Sequence, residues 1–312
     1  MGGRDPSFAH PDRRVFTLGL AAGALSVPTF ARADPAAPSE DALEPVPDAV
    51  FAASVDLADR MAVPVMVNGR GPFPFVIDTG ANRTVVSDAL AAQLGLPPSG
   101  SLQIRAAMGM ARTGSVRVAS LAVGRRRLLD LQAPVLEAGN LGALGMLGID
   151  AVSDQRLVMD FRKKQMVLTQ TVRREADPGT LVVQAKSKYG QLLLVDSEAE
   201  GIPLYVIIDT GSEVTIGNSA MRAFLARRRA TREDLVDVAG GTAKVDLGQL
   251  PELRVGKVIV RNQQVAYADL FVFEHLGLHG KPSMLLGMNT LRQCARVSID
   301  FPAREVRFLL DA

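Results

Sequence analysis

At 312 residues with 47% apolar side chains, the chain can bury one large core or two modest ones. Its 35 Lys and Arg stand against 33 Asp and Glu, and a formal charge of +2 gives no ground for nucleic-acid binding or for attachment to a membrane surface. A single cysteine, Cys294, excludes an intrachain disulfide, and its aliphatic neighbours predict a buried structural thiol in place of a nucleophile.

Near its start the chain carries Asp12-Arg13-Arg14-Val15-Phe16, then a moderately apolar stretch from Thr17 to Phe30, then Ala31-Arg32-Ala33. A basic pair, a short apolar segment and a small-x-small cleavage site are the layout of a twin-arginine-type export signal over residues 1–33. The expectation is export, to a bacterial periplasm. No stable membrane span is expected after cleavage, because the apolar stretch is short and rich in Gly and Ala. Residues 34–49 are rich in Pro and acidic groups and predict a disordered linker.

Beyond the linker, short β-branched and aliphatic runs alternate with Gly, Pro, Asn and Asp turn signals. No long amphipathic helix interrupts them, so the chain reads as mainly β with few short helices. Val63–Val67 followed by Asn68-Gly69 predicts a hairpin. The run Phe75-Val76-Ile77 ends in Asp78-Thr79-Gly80. A helix is predicted over Ser87–Leu94, capped by Ser87 or Asp88 and stopped by Gly95. Ala106–Gly114 reads as a hairpin tip containing Gly109, and a helical turn is predicted within Gly139–Met146. Gly145-Met146-Leu147-Gly148-Ile149-Asp150 follows, and then a strand pair, Arg156–Phe161 and Gln165–Leu168.

The chain then repeats this order. Ile77-Asp78-Thr79-Gly80-Ala81-Asn82-Arg83-Thr84-Val85 aligns without gaps on Ile208-Asp209-Thr210-Gly211-Ser212-Glu213-Val214-Thr215-Ile216. A lone Asp-Thr-Gly would be an ordinary turn in which Asp binds local backbone and Gly takes positive φ. Two copies in a matched nine-residue frame point to a symmetric pair of carboxylates, since a carboxylate beside an apolar strand is costly unless hydrogen-bonded or used. A helix is predicted over Asn218–Arg227, a second hairpin tip over Val238–Lys244, a second glycine segment at Met284–Asn289, and a second strand pair at Arg296–Phe301 and Glu305–Phe308. The second unit carries extra residues between its Asp and its Gly, expected in loops. The units are placed at 50–175 and 176–312.

Other constellations carry less. His275 and His279 are four apart, a spacing that puts both on one helical face, yet no third ligand lies nearby and no metal or other cofactor is expected. No Gly-x-Ser-x-Gly frame marks a serine nucleophile. The runs Arg125–Arg127 and Arg227–Arg229 read as solvated faces or turns.

The frame Ile-Asp-Thr-Gly-Ala/Ser-x-x-Thr-Val/Ile, followed some seventy residues later by aliphatic-aliphatic-Gly, resembles the retropepsin-like aspartic proteases, and most of all the bacterial periplasmic aspartyl proteases. The resemblance runs from about Val63 to Leu310. It implies two pseudo-symmetric lobes, each a small closed β-barrel, in a pepsin-like bilobal arrangement. It implies Asp78 and Asp209 as the catalytic pair, with Thr79 and Thr210 bonding reciprocally and Gly80 and Gly211 admitting substrate backbone. Ala81 and Ser212 beside the turns, Asn82 and Glu213 just after them, and Leu147 and Leu286 before Gly148 and Gly287 would border substrate. Met108 and Met110, with Gly240 and Gly241, would lie on hairpins that close over the cleft. The sequence departs from viral members at Asn82 and Glu213, where those carry Asp, and at Ile149-Asp150 and Met288-Asn289, where those carry Arg. Salt bridges of the viral dimer type are therefore not expected, and specificity does not transfer.

Because both units lie in one chain, a monomer suffices for one site; nothing in the sequence demands pairing with a second chain. The reaction expected is peptide-bond hydrolysis in extended segments by a water activated between two carboxyls that share one proton. Such an endopeptidase has a bell-shaped pH dependence on the acidic side, displaced toward neutral by the apolar residues before each Asp. The alternative is a non-catalytic peptide-binding module on the same fold.

Overall fold

The computed structural model describes residues 60–124, 126–171, 178–225 and 231–310, and the backbone of the strands Phe16–Leu18, Ala49–Ala52 and Ser54–Val55. The fold is mainly β, with two lobes and short helices. The predicted export signal and linker otherwise lie outside the described residues. Phe16–Leu18 pairs in parallel with Leu235–Asp237, and Ala49–Ala52 pairs with Gln165–Leu168.

Local chemistry sets the elements. Asn68 and Gly69 both take positive φ (51° and 75°) and so turn Met61–Val67 into Arg70–Ile77 with the twist the hairpin needs. Ser87 accepts from the Leu90 amide at 3.1 Å and starts the helix Asp88–Leu94, and Gly95 ends it in the left-handed region at φ 61°. In the second lobe Asn218 takes the capping role, accepting from the Met221 amide at 2.9 Å before the helix Ser219–Leu225. The turn predicted within Gly139–Met146 is the short helix Ala138–Leu141, one residue earlier, and Gly145–Leu147 is a strand.

In the first lobe the strand pairings return on themselves. Met61–Val67 pairs with Arg70–Ile77, which runs parallel to Gly145–Leu147. Gly145–Leu147 pairs with Val85–Ser87, and this strand runs parallel to Arg126–Leu136. Arg126–Leu136 pairs with Gly109–Val123, which reaches back to Met61–Val67. The second lobe repeats the order with Tyr205–Ile208, Ser283–Leu286, Thr215–Gly217, Val258–Tyr267 and Thr242–Val255, returning through Ser197–Ala199 and Gln191–Leu194. Each lobe is thus a ring of unequal strands, not a regular barrel. In each, the glycine segment is threaded between the strand that carries Asp and the strand that follows it.

A six-stranded antiparallel layer joins the lobes: Ala49–Ala52, Gln165–Thr169, Arg156–Asp160, Cys294–Asp300, Glu305–Leu310 and Thr180–Lys188. At its centre Arg156 pairs with Asp300, Val158 with Ser298 and Asp160 with Arg296, so a pseudo-two-fold axis passes beside Val158 and Ser298. One apolar cluster runs through both lobes, from Phe75 and Ile77 across Leu157, Met159, Val297 and Ile299 to Ile208 and Met284. Cys294 is a buried, reduced thiol in the joining layer, not in a glycine segment.

The extra residues of the second unit correct one expectation. They lie between Tyr267 and Ser283, and part of them forms the helix Phe271–His275. His275 ends this helix and His279 lies beyond it, so the two do not share a helical face. From the expected arginine faces, Arg126 is half-buried and pairs with Asp154 and with the Asp150 carbonyl; Arg125 and Arg227–Arg229 lie outside the described residues.

Gly145 tests the threading. A methyl there would overlap the buried ring of Phe75. Gly145→Ala is expected to lower unfolding free energy by about 1–3 kcal/mol. Gly114→Ala, with open space around it, should stay within about 0.5 kcal/mol of the parent in the same denaturant titration.

Candidate active site

The strands Arg70–Ile77 and Tyr205–Ile208 end at the lobe junction, and each hands one carboxylate to it. Asp78 and Asp209 are 0% and 2% exposed. The turns are locked across the axis. Thr79 Oγ1 donates to the Ile208 carbonyl at 2.9 Å and accepts from the Thr210 amide at 3.1 Å. Thr210 Oγ1 donates to the Ile77 carbonyl at 2.6 Å and accepts from the Thr79 amide at 3.1 Å. Each hydroxyl uses its donor and an acceptor position, so the junction leaves no buried hydroxyl unsatisfied at this point.

Within each turn the backbone solvates the carboxylate. The Gly80 and Ala81 amides donate to Asp78 Oδ1 at 2.7 and 3.1 Å, and the Gly211 amide donates to Asp209 Oδ1 at 2.9 Å. The glycines are required by contact across the axis. A methyl on Gly80 would stand 2.8 Å from Cγ of Asp209, and one on Gly211 would overlap the Asp78 carboxyl.

Asp209 lies within hydrogen-bonding range of Asp78. Burial pushes the Asp209 carboxyl well above the usual carboxylate range; the negative charge of Asp78 and the hydrogen bond with it push the same way, and the Gly211 and Ser212 amides pull back.

The glycine segments support the turns from behind. Leu147 and Leu286 accept from the Asp78 and Asp209 amides at 2.9 and 3.1 Å. Gly148 and Gly287 donate to Thr84 Oγ1 and Thr215 Oγ1 at 3.3 and 3.1 Å. A methyl on Gly148 would stand 2.5 Å from the Arg83 carbonyl carbon, and one on Gly287 would overlap the Val214 carbonyl. Thr84 then donates its amide and hydroxyl to Asp150 at 3.0 and 2.7 Å, and Thr215 does the same to Asn289 Oδ1 at 2.9 and 2.8 Å. Burial raises the Asp150 carboxyl, opposed first by the Thr84 hydrogen bonds and then by the nearby Arg83 charge.

The remaining predicted residues separate into groups. Ala81 is fully buried, and the buried Ser212 turns its hydroxyl onto the Val214 carbonyl at 2.7 Å. Asn82 and Glu213 are half-buried, and Asn82 Oδ1 is a buried acceptor without a hydrogen bond. Leu147 and Leu286, expected beside substrate, are buried, with their side chains in the cluster that runs through both lobes. Met110 is 52% exposed, whereas Met108 is half-buried at the hairpin tip.

The two hairpin tips meet. Ala107 from the first lobe joins the second-lobe cluster with Leu235, Leu270 and Phe273, and Val238 from the second joins the first-lobe cluster with Ala81, Val85 and Leu141. Asp237, buried at the turn of the second tip, accepts from the Met108 amide at 3.0 Å through Oδ2, and from the Ala239 and Gly241 amides at 3.0 and 2.7 Å through Oδ1. The Phe271 amide donates to the Ala107 carbonyl at 2.9 Å. Gly241 leaves only 3.1 Å between a methyl placed on it and Cβ of Met108. Gly240, more exposed, faces Asn140.

Sequence reasoning passed over Arg60, Gln191 and Asp237. Asp237 ends an unremarkable strand, Thr231–Asp237. Arg60 and Gln191 are unlike in type and lie outside the matched nine-residue frame, so only their spacing relates them.

The profile of the aspartyl protease family matches residues 63–151 and, a second time, 195–290. These two regions cover more than half of the chain, each holding one Asp-Thr-Gly turn and one glycine segment, and the chain belongs to the retropepsin-like aspartyl protease family. No curated protein matches the chain significantly.

A raised carboxyl has a stability signature. Asp209 is protonated or strained in the fold at pH values where the unfolded chain ionises it freely, so its contribution falls as pH rises above the unfolded value of about 3.9. Asp209→Asn should therefore raise Tm at pH 7 by at least about 2 °C. In melts repeated toward pH 3 the difference should shrink.

Proposed function

We propose that the chain is an aspartic endopeptidase whose dyad, Asp78 and Asp209, is assembled from both lobes. The observation that carries this reading is the pair of dry carboxyls in contact at a two-fold junction, fixed by the Thr79–Thr210 exchange. Two carboxyls this close in a low-dielectric site hold one proton between them. The ionised member takes a proton from a water, the water oxygen attacks the scissile carbonyl, and the protonated member donates to the carbonyl oxygen. The same groups then return a proton to the departing amine. The step needs no covalent intermediate. Family membership supports peptide as the substrate class.

Substrate lies extended between the turns and the hairpin tips, where the tips exclude water from the reacting bond. Asn82 Oδ1, an unsatisfied buried acceptor beside the first turn, suits a substrate amide. The export signal expected over residues 1–33 supports a reading in which the enzyme works after export.

Cleavage of a denatured protein mixture by chain 34–312, from acidic to neutral pH, tests this reading. Wild type is expected to cut, with inhibition by a statine-type transition-state analogue. Asp78→Asn and Asp209→Asn should each reduce kcat/KM by about 10²-fold or more. A wild type that binds extended peptides yet cuts none, with the leader removed and substrates varied, makes the chain a binding module.

The tips give a separate test. Asp237→Ala removes the acceptor shared by Met108, Ala239 and Gly241. It should raise KM roughly three- to tenfold while changing kcat less, the loss of about one hydrogen bond's worth of ordering.

A further inference from the structure

Arg60 and Gln191 are separated by the same 131 positions that separate Thr79 from Thr210. Each reaches across the lobe junction to the carbonyl of the other unit's motif glycine. Gln191 Nε2 donates to the Gly80 carbonyl at 2.8 Å, and Arg60 Nη1 donates to the Gly211 carbonyl at 3.4 Å. Both side chains are buried, at 0% for Arg60 and 2% for Gln191.

The peptide each of them holds faces the dyad. The Gly80 carbonyl belongs to the peptide whose amide, that of Ala81, donates to Asp78 Oδ1 at 3.1 Å. The Gly211 carbonyl belongs to the peptide whose amide, that of Ser212, acts on Asp209. A donor on the carbonyl fixes the peptide plane and strengthens its amide toward the carboxylate. Gln191 keeps this contact although its own buried Oε1 has no hydrogen-bond partner. A buried acceptor left in that state calls for a reason, and the grip on Gly80 supplies one. Arg60 is held in place a second time, by the Leu141 carbonyl at 2.5 Å, at the end of the short helix beneath Val238.

The pair breaks the two-fold symmetry in charge. One member is a neutral amide and the other a guanidinium cation. The bonded path through Gly211 puts the guanidinium within roughly 10 Å of both carboxyls. We infer that Arg60 and Gln191 are paired positioning residues for the Asp78–Asp209 dyad, and that the charge of Arg60 holds the dyad's proton affinity below what burial alone would give. This rests on the reading of the two carboxyls as one site. Other charged groups on the surrounding elements are Arg83 and Glu213 on the two turns, Asp150 behind the first, Glu137 before the short helix and Asp237 at the tips. All of them are the same in every variant compared below.

The test is a carboxyl ¹³C NMR titration of the dyad, assigned with Asp78→Asn and Asp209→Asn, alongside the pH dependence of kcat/KM. Arg60→Gln copies the neutral contact that Gln191 already makes. A nearby cation favours the ionised carboxylate, so its removal should move the dyad midpoints up by about one pH unit, and both limbs of the kcat/KM curve should follow. Arg60→Lys should leave the midpoints where they are. Gln191→Leu should lower kcat and move them upward by much less than Arg60→Gln does, because it weakens one amide contact and removes no charge. Unmoved midpoints in a folded Arg60→Gln would overturn the inference, whatever the loss of thermal stability. Should Arg60→Gln not fold, Arg60→Lys decides: unmoved midpoints with reduced kcat support the role, and midpoints displaced upward refute it. The titration needs no turnover. A chain that cuts nothing but shows the displaced midpoints sinks the protease reading and leaves this one standing.

Discussion

Two carboxylates have been brought out of water into one junction, and the surrounding structure is what that demands. Charges of one sign in a dry site repel unless a proton or a donor intervenes. Here the donors are backbone amides of the two turns, and they face the carboxylates only because the turns are held rigid. Thr79 and Thr210 supply the rigidity across the axis, with every hydrogen-bonding group matched by its counterpart in the other lobe. The glycines follow from the same crowding, since a methyl at Gly80 or Gly211 would enter the opposite carboxyl.

Behind the turns the fold repeats one solution twice and then varies it. A short glycine strand is threaded between two neighbours so that its carbonyl meets the Asp amide and its glycine amide meets a Thr hydroxyl. That Thr is then satisfied by Asp150 in one lobe and by Asn289 in the other. Arg60 and Gln191 are a second such variation. Geometry is shared between the lobes while charge is not, which suits the proposed division of the carboxyl pair into one acid and one base. The hairpin tips complete the junction by exchange: each packs into the other lobe's apolar cluster, and the Asp237 carboxylate ties the two tips together.

Much of this was legible in the chain because it rests on local rules. Asn68-Gly69 forces a hairpin, Ser87 and Gly95 bound a helix, and the nine-residue frame around each Asp-Thr-Gly fixes a turn whose backbone geometry admits few alternatives. The Gly145–Leu147 segment was visible as an aliphatic run leading to a glycine at a similar distance from each Asp, about 70 residues in the first unit and about 78 in the second, but its threading between two strands was not. What escaped depends on contacts between distant segments. Arg60 looks like any residue before a strand until the lobes close and its guanidinium meets Gly211. Asp237 looks like a turn former until Met108 arrives from the other lobe. Leu147 and Leu286 were singled out because they neighbour the supporting glycines; what the sequence did not show is that their carbonyls receive the Asp78 and Asp209 amides while their side chains join the cluster common to both lobes. The helix Phe271–His275 was hidden in a segment that differs from its counterpart in length, where the repeat gives no guide.

Calorimetric titration with a statine-type analogue addresses the central claim most directly, that both lobes build one site with a shared proton. The account predicts one analogue bound per chain, and an affinity reduced at least about 100-fold, or roughly 2.7 kcal/mol, by Asp78→Asn and by Asp209→Asn alike. Two analogues per chain, or binding untouched by either substitution, would contradict it.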